Sequence, residues 1–473
     1  MNRKNIWIHI TVAIVVIMTA AILGQIHHWQ TKLESFKDKA VAKPLSKPVT
    51  TPRYSDNNEH EVLVKFRPNV SPAEIKKLTA KNNDTIEDRI ESVNGLTVID
   101  DLDGADAETV AAQYKQMSSL VEYAEPNFEI KLDPTEAPKT LIDVKLKKYA
   151  SPNDPMFAEQ WALNNDGKNG GKEKADISAI QAWAKTKGNS DVVVAVLDSG
   201  VDYTHTDLAE NIWTRPDSLP AYSDDELGTI NDLHGFNAVD NQADPMDDNG
   251  HGTHCAGIIG AEGDNDEGIA GINWHVEIMP LKFMGRGGFG TTKDAIEAIN
   301  YAVERKKDGV NIRVINASWG STQNSKALED AIRAAGEAGI LFVAAAGNDG
   351  SSNDKRPHYP SNYNLPNVIS VAATDKTDNL TSFSNFGVKT VHIAAPGRDI
   401  LSTWLNDSYR EASGTSMAAP QVAGVAALIL SLEPNISVEK LRERILKSVD
   451  KVDSLNGKVE SGGRLNAAKA LLN

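Results

Sequence analysis

Three residues of this chain, Asp198, His251 and Ser416, have the types and the order that nucleophilic catalysis requires. A serine hydroxyl is a weak nucleophile until a base takes its proton. The base in turn needs an anion to fix its tautomer and stabilise its cation. VAVLDSG ends an apolar run at Asp198, and DDNGHGTHCAGIIG opens a helix with His251 near its start. ASGTSMAAPQVAGVAALIL opens a long apolar helix with Ser416 at its mouth. A fourth stretch, GILFVAAAGNDG, ends a buried strand near Asn348, whose amide N–H suits the negative charge that acyl transfer builds on a carbonyl oxygen. Singly, each stretch has an ordinary reading: Asp-Ser-Gly and Asn-Asp-Gly as turns, His-Gly-Thr-His as a helix start, Thr415 or Ser416 as an N-cap. Together, in order and each at the end of an element, they point to a hydrolase.

Such groups collect where the strands of a parallel sheet end. DVVVAVLD, VEIMPLKFM, RVINAS, GILFVAAAGN and NVISVAA are short apolar runs, and amphipathic stretches such as TKDAIEAINYAVERKK and SKALEDAIRAAGEAG lie between them. This alternation predicts an α/β domain with a mostly parallel central sheet buried on both faces.

VLDSGVDYTHTDL, NGHGTHCAGI, INASWGS, AAAGNDG and GTSMAAPQVAG resemble the subtilisin-like serine peptidases, in particular their thermitase-like branch, across roughly residues 150–473. The order Asp, His, Ser is that family's order. The resemblance implies a three-layer catalytic domain over residues 153–473, with Asp198 as orienter, His251 as general base and acid, Ser416 as nucleophile and Asn348 as oxyanion donor. It makes His254 structural and Cys255 a small buried neighbour, and Gln421 stands where relatives mostly carry histidine. It also implies that substrate pairs as an extended strand between Ser318-Trp319-Gly320 and Gly288-Phe289-Gly290. Ala345, Ala346 and Gly347 then wall the pocket for the residue before the cut. Small walls suggest a roomy, apolar pocket of broad preference, with its floor in the loop SSNDKRPHYP, which the motifs do not align.

Two acidic clusters suit structural calcium, a hard cation that takes oxygen ligands. One joins Asp207 with Asn265 and the backbone around Glu267 and Ile269, and Asp154 completes it as similar segments do in the thermitase-like branch. The other holds Asp240, Asp244 and Asp248 just ahead of the catalytic helix.

The remaining chain frames this unit. Of 473 residues, 40% are hydrophobic and 24% charged, and the net charge of −16 argues against a nucleic-acid partner. The single cysteine, Cys255, excludes an internal disulfide. Arg3 and Lys4 precede an apolar run over residues 6–23, which reads either as a cleaved secretion signal or as a retained anchor, with residues 1–30 outside the fold and the body exported in both cases. Residues 31–58 form a polar, proline-dotted tether, and residues 59–132 alternate β-α-β-α-β as a small ferredoxin-like α+β module. Residues 133–152 are a second connector. By resemblance the module is a propeptide that blocks the cleft of its own chain and assists folding of a slow, non-local topology, and self-cleavage is expected in the connector near Tyr149. The expected product is a monomeric, secreted or membrane-anchored endopeptidase acting on polypeptides. The rivals are a catalytically silent peptide binder, a metallohydrolase built on His251, His254 and the nearby aspartates, and an esterase, although GTSMA lacks the Gly-x-Ser-x-Gly elbow.

Overall fold

The computed structural model describes residues 60–135 and 151–472. The apolar run, the tether and the connector around Tyr149 lie outside the described residues. The N-terminal module runs β1 (Glu61–Phe66), α1 (Pro72–Lys81), β2 (Asp84–Arg89), β3 (Leu96–Asp101), α2 (Ala107–Gln116) and β4 (Val121–Pro126). Its antiparallel sheet has the order β2-β3-β1-β4. Ser71 and Glu74 close a reciprocal capping box on α1, with Pro72 at the first helical position, as the sequence leads one to expect. Strand β2 (DTIEDR) is additional to the expected elements; it is too polar to announce itself as a strand. Val62, Val64 and Phe66 pack beneath the two helices. Leu63, on the opposite face of β1, joins a different core, described below.

After β5 (Glu129–Lys131), the larger unit opens with α3 (Ala179–Trp183), β6 (Gly188–Asp198), β7 (Tyr222–Asp224), β8 (Gly228–Ile230), β9 (Phe236–Asn237), α4 (His251–Gly260), β10 (His275–Lys282) and β11 (Phe289–Thr291). It continues with α5 (Thr292–Lys307), β12 (Ile312–Ala317), α6 (Lys326–Glu337), β13 (Leu341–Ala345), β14 (Val368–Thr374), β15 (Ile393–Pro396), β16 (Ile400–Trp404) and β17 (Ser408–Ala412). It ends with α7 (Thr415–Leu432), α8 (Val438–Lys447), β18 (Val449–Lys451), β19 (Gly463–Leu465) and α9 (Ala467–Ala470).

The central sheet has the order β18-β19-β15-β14-β13-β12-β6-β10-β9, and its pairs are parallel except for β18 with β19. Strand β6 shows why it must be covered on both sides. Val192, Val194 and Val196 enter one core, with α4 and α7, whereas Val193, Ala195 and Leu197 enter the other, with α5 and α6. The result is the expected three-layer subtilisin-like domain. Helix α7 is long and apolar enough to cross a membrane, but it is packed inside the first core. The free face of the small module supplies Leu63, Ile90, Val93 and Val98 to the second core, so the module is seated on α5 and α6.

Candidate active site

The sheet delivers its chemistry at one edge. Asp198 is the last residue of β6, Ser318 follows β12, and Asn348 follows β13. His251 begins α4, and Ser416 is the second residue of α7. The buried Asp198 carboxylate faces His251 Nδ1, its two oxygens at 2.8 and 3.0 Å, and accepts from the Ser199 N–H at 2.7 Å. Burial alone would lower the pKa of His251, but the charge and hydrogen bond of Asp198 outweigh it and hold the imidazole above its usual value. His251 Nε2 makes no hydrogen bond, and the Ser416 hydroxyl donates to the Ser318 carbonyl at 2.9 Å. In such centres the bond between nucleophile and base commonly tightens only when substrate is bound.

His251 is aimed by Asp247, a residue that sequence reasoning passed over in favour of Asp248. The Asp247 carboxylate accepts from the N–H groups of Asn249 (2.9 Å), Gly250 (3.0 Å) and Thr253 (3.0 Å), and from the hydroxyls of Thr253 (2.6 Å) and Ser199 (2.9 Å). It thereby supplies the start of α4 with the acceptor that Gly250, at the cap position, cannot. Asn348 is held in the same way. Its Oδ1 accepts from the N–H and hydroxyl of Thr415 at 2.8 and 2.9 Å, which turns Nδ2 outward as a donor.

That donor already has a partner. Nδ2 of Asn348 donates to the carbonyl of Pro134 at 3.1 Å, because the segment leaving the small module runs through the cleft. β5 pairs antiparallel with β11, placing Lys131 opposite Phe289 and Ile130 opposite Gly290. Lys131 also bridges to Gly320, and the Leu132 N–H donates to the Gly288 carbonyl at 2.9 Å. Both expected substrate-binding segments are therefore engaged by the chain itself. Trp319 underpins one of them, donating its indole N–H to the Leu197 carbonyl at 2.9 Å and packing on Phe283. The Asp133 carboxylate enters a pocket lined by His358, Gly320 and Gly347, while the carbonyl opposite Asn348 belongs to the next residue, Pro134; Ala345 and Ala346 are packed in the cores behind. His358 comes from the loop SSNDKRPHYP, whose place the motifs leave open.

The small module grips helix starts as well. The Glu125 carboxylate accepts from the Ser325 hydroxyl at 2.6 Å and from the N–H groups of Lys326 and Ala327 at 3.0 Å each, capping α6. Asn127 Oδ1 accepts from the Lys293 N–H in the first turn of α5 at 2.9 Å. Around it the interface buries carboxylates: desolvation pushes Glu61 up to about 7 against the pull of Lys293, and desolvation also raises Asp88 and Glu297.

Residues of the first acidic cluster lie near one another, with the Glu267 and Ile269 N–H groups turned towards it as donors. Asp207 accepts from the Asn265 side-chain amide at 3.0 Å and from the Ile269 N–H at 2.9 Å, and Asp154 accepts from the Asp264 N–H at 2.9 Å. The Glu267 N–H is turned onto Asn265 Oδ1 at 2.9 Å. The other Asp154 oxygen is buried without a partner, and desolvation raises the carboxyl to about 6, so a cation fits there. The second cluster does not converge among the described residues. Asp248 pairs with Lys282 at 2.7 Å, Asp244 accepts from the Tyr203 hydroxyl at 3.0 Å, and Asp240 accepts from Asn237 at 3.3 Å. His254 Nε2 lies 3.0 Å from the carbonyls of Ile400 and Arg410, and burial lowers its pKa to about 3, so the ring is structural. Cys255 is buried, its thiol 3.5 Å from the Ser416 carbonyl and pushed well up in pKa by desolvation.

A helix-borne histidine, a strand-end aspartate and a helix-mouth serine on a doubly covered parallel sheet define a serine peptidase of subtilisin type. Residues 189–463 match the Subtilase family and residues 45–127 match the Fervidolysin N-terminal prodomain. The chain belongs to the subtilase family, as a subtilisin-like serine protease with a propeptide domain. It is 36% identical over 321 residues to thermitase of Thermoactinomyces vulgaris, covering 68% of this chain and 99% of that one. It is 38% identical over 334 residues to the thermophilic serine proteinase of Bacillus sp. (strain AK1), covering 70% of this chain and 75% of that one. The halolysin-like extracellular serine protease Nep of Natrialba magadii is 35% identical over 323 residues, with 68% of this chain and 52% of Nep covered. Among solved structures, a protease from Pseudoalteromonas arctica PAMC 21717 superposes with a TM-score of 0.55 at 29% identity, covering 68% of this chain and 99% of that one.

Proposed function

We propose that Ser416 is the nucleophile of an endopeptidase that is made as a self-inhibited zymogen and cuts its own connector. The observation that carries this reading is the passage of residues 129–134 through the cleft, paired with β11 and Gly320 and met by Asn348. A substrate strand laid along the same two edges puts a carbonyl carbon beside Ser416. His251 takes the hydroxyl proton at Nε2 while Asp198 holds its Nδ1–H and stabilises the imidazolium. Asn348 Nδ2–H, with the Ser416 backbone N–H, stabilises the oxyanion. His251 then gives the proton to the leaving amine, and water repeats the sequence on the acyl-enzyme. Asp247 and Thr415 touch no reacting atom; they position His251 and Asn348.

Calcium fits the first acidic cluster, with Asp154, Asp207 and Asn265 as its side-chain ligands. There it would rigidify the turn that β6 enters and take no part in the chemistry. Export is supported by the apolar run at residues 6–23 and by the extracellular relative Nep. The test is intact-mass analysis of the full chain beside its Ser416→Ala variant. The wild type is expected as a shorter catalytic fragment and the variant at full length. Clipping of both alike would overturn self-processing.

A further inference from the structure

The pocket beside Ser416 holds a buried basic ring that a broad, apolar pocket does not need. His358 lies between the two walls: a Cβ on Gly320 would fall 1.9 Å from its Cε1, and one on Gly347 would fall 3.0 Å from its Cδ2. Glycine at both positions is what lets the imidazole stand there. The ring is 3% exposed, and its backbone is pinned. Its N–H donates to Asn362 Oδ1 at 3.1 Å, its carbonyl accepts from the Ser361 hydroxyl at 2.7 Å, and Tyr359 exchanges two 2.7 Å backbone bonds with Ser321. His358 is therefore part of the wall and not a mobile side chain over it.

The occupant shows what the ring recognises. The ladder along both cleft edges ends at Leu132, so the next side chain, that of Asp133, turns into the pocket. Its Oδ1 lies 3.2 Å from His358 Nε2, the carboxylate is largely buried, and among the described residues its Oδ2 has no hydrogen-bond partner. A carboxylate taken from water is costly unless a donor meets it, and His358 Nε2–H is the donor supplied.

We infer that His358 makes this pocket selective for an acidic residue, Asp or Glu, at the substrate position that Asp133 occupies, next to the residue whose carbonyl meets Asn348. This rests on the peptidase reading above. The test uses the self-processed enzyme and peptides that differ only at that residue: Glu, Asp, Gln, Asn, Ala and Phe. The expected result is a kcat/KM for Glu and Asp on the order of tenfold or more above Gln and Asn, the scale of one hydrogen bond to a charged group. In His358→Gln that ratio should collapse towards one, read as a ratio within the variant so that any general loss of activity cancels. A wild type that prefers Phe to Glu, or an acid preference that survives His358→Gln, would overturn the inference. Absence of fluorophosphonate labelling at Ser416 would instead overturn the peptidase reading itself, and the inference with it.

Discussion

Asp247 offers a sharp test of how the site is held together. Replacing it by alanine removes one buried carboxylate and strands five donors: three N–H groups around the start of α4 and the hydroxyls of Ser199 and Thr253. Removing one member of such a buried, charge-assisted set costs about 3–5 kcal/mol. At roughly 2–4 °C per kcal/mol for a large domain, Asp247→Ala should lower the melting midpoint by about 6–20 °C. The measurement is thermal unfolding of the full chain in a Ser416→Ala background, at one fixed calcium concentration, so that neither self-cleavage nor ligand linkage moves the midpoint. In the active background, the same loss frees the turn that carries His251, and kcat should fall by about tenfold to a hundredfold, the scale of a misplacement near 1 Å. Asp247→Asn keeps one acceptor oxygen and should fall between. An alanine variant that melts within 2 °C of its parent (about 1 kcal/mol or less on the same scale) and keeps its kcat would refute the argument that this carboxylate positions the base.

Other expectations follow from the same geometry. Asn348→Leu should leave KM nearly unchanged and lower kcat by about 10²–10³-fold, a magnitude taken from the corresponding donor of subtilisin itself and not worked out from this structure; an unchanged kcat would remove Asn348 from the oxyanion site. In the docked state desolvation holds Glu61 up to about 7 against the pull of Lys293, so a module whose Glu61 returns to the ordinary glutamate range on release binds fewer protons when free. Docking is then strongest below the ordinary glutamate range and weakens as pH rises through about 7. Gel filtration of the processed complex should show less retained prodomain at pH 8 than at pH 5 (pH values on either side of about 7), and Glu61→Gln should flatten that change; a retained fraction that does not vary with pH would contradict it. Chelation should lower the melting midpoint of the Ser416→Ala chain, and Asp154→Asn should remove most of that sensitivity; an equal response in both chains would exclude Asp154 as a ligand.

The four residues proposed for the chemistry could be picked out because each closes an apolar run or opens a helix, so element ends and residue types coincide in the linear text. Strand β2 could not, since DTIEDR has no alternation and a single apolar residue, Ile86, and is a strand only because β3 offers it a ladder. The acidic stretch before α4 misled for a different reason. Spacing marks Asp248 as readily as Asp247, and only the fold brings Lys282 to the first and five donors to the second. His358 was out of reach because its loop carries no motif; it lies ten residues beyond Asn348 in sequence and is returned to the pocket by the pairing of the next residue, Tyr359, with Ser321. The occupation of the cleft by residues 129–134 joins segments far apart in the chain, which local pattern does not encode.

The claim that Ser416 is the nucleophile, activated by His251, is tested most directly by covalent capture. The self-processed wild type should take up one fluorophosphonate, mapped by peptide mass to Ser416. In full-length chains treated alike, Ser416→Ala should take up none and His251→Ala far less than the wild type. Peptidase activity that persists without labelling at Ser416, or in the Ser416→Ala chain, would contradict the account.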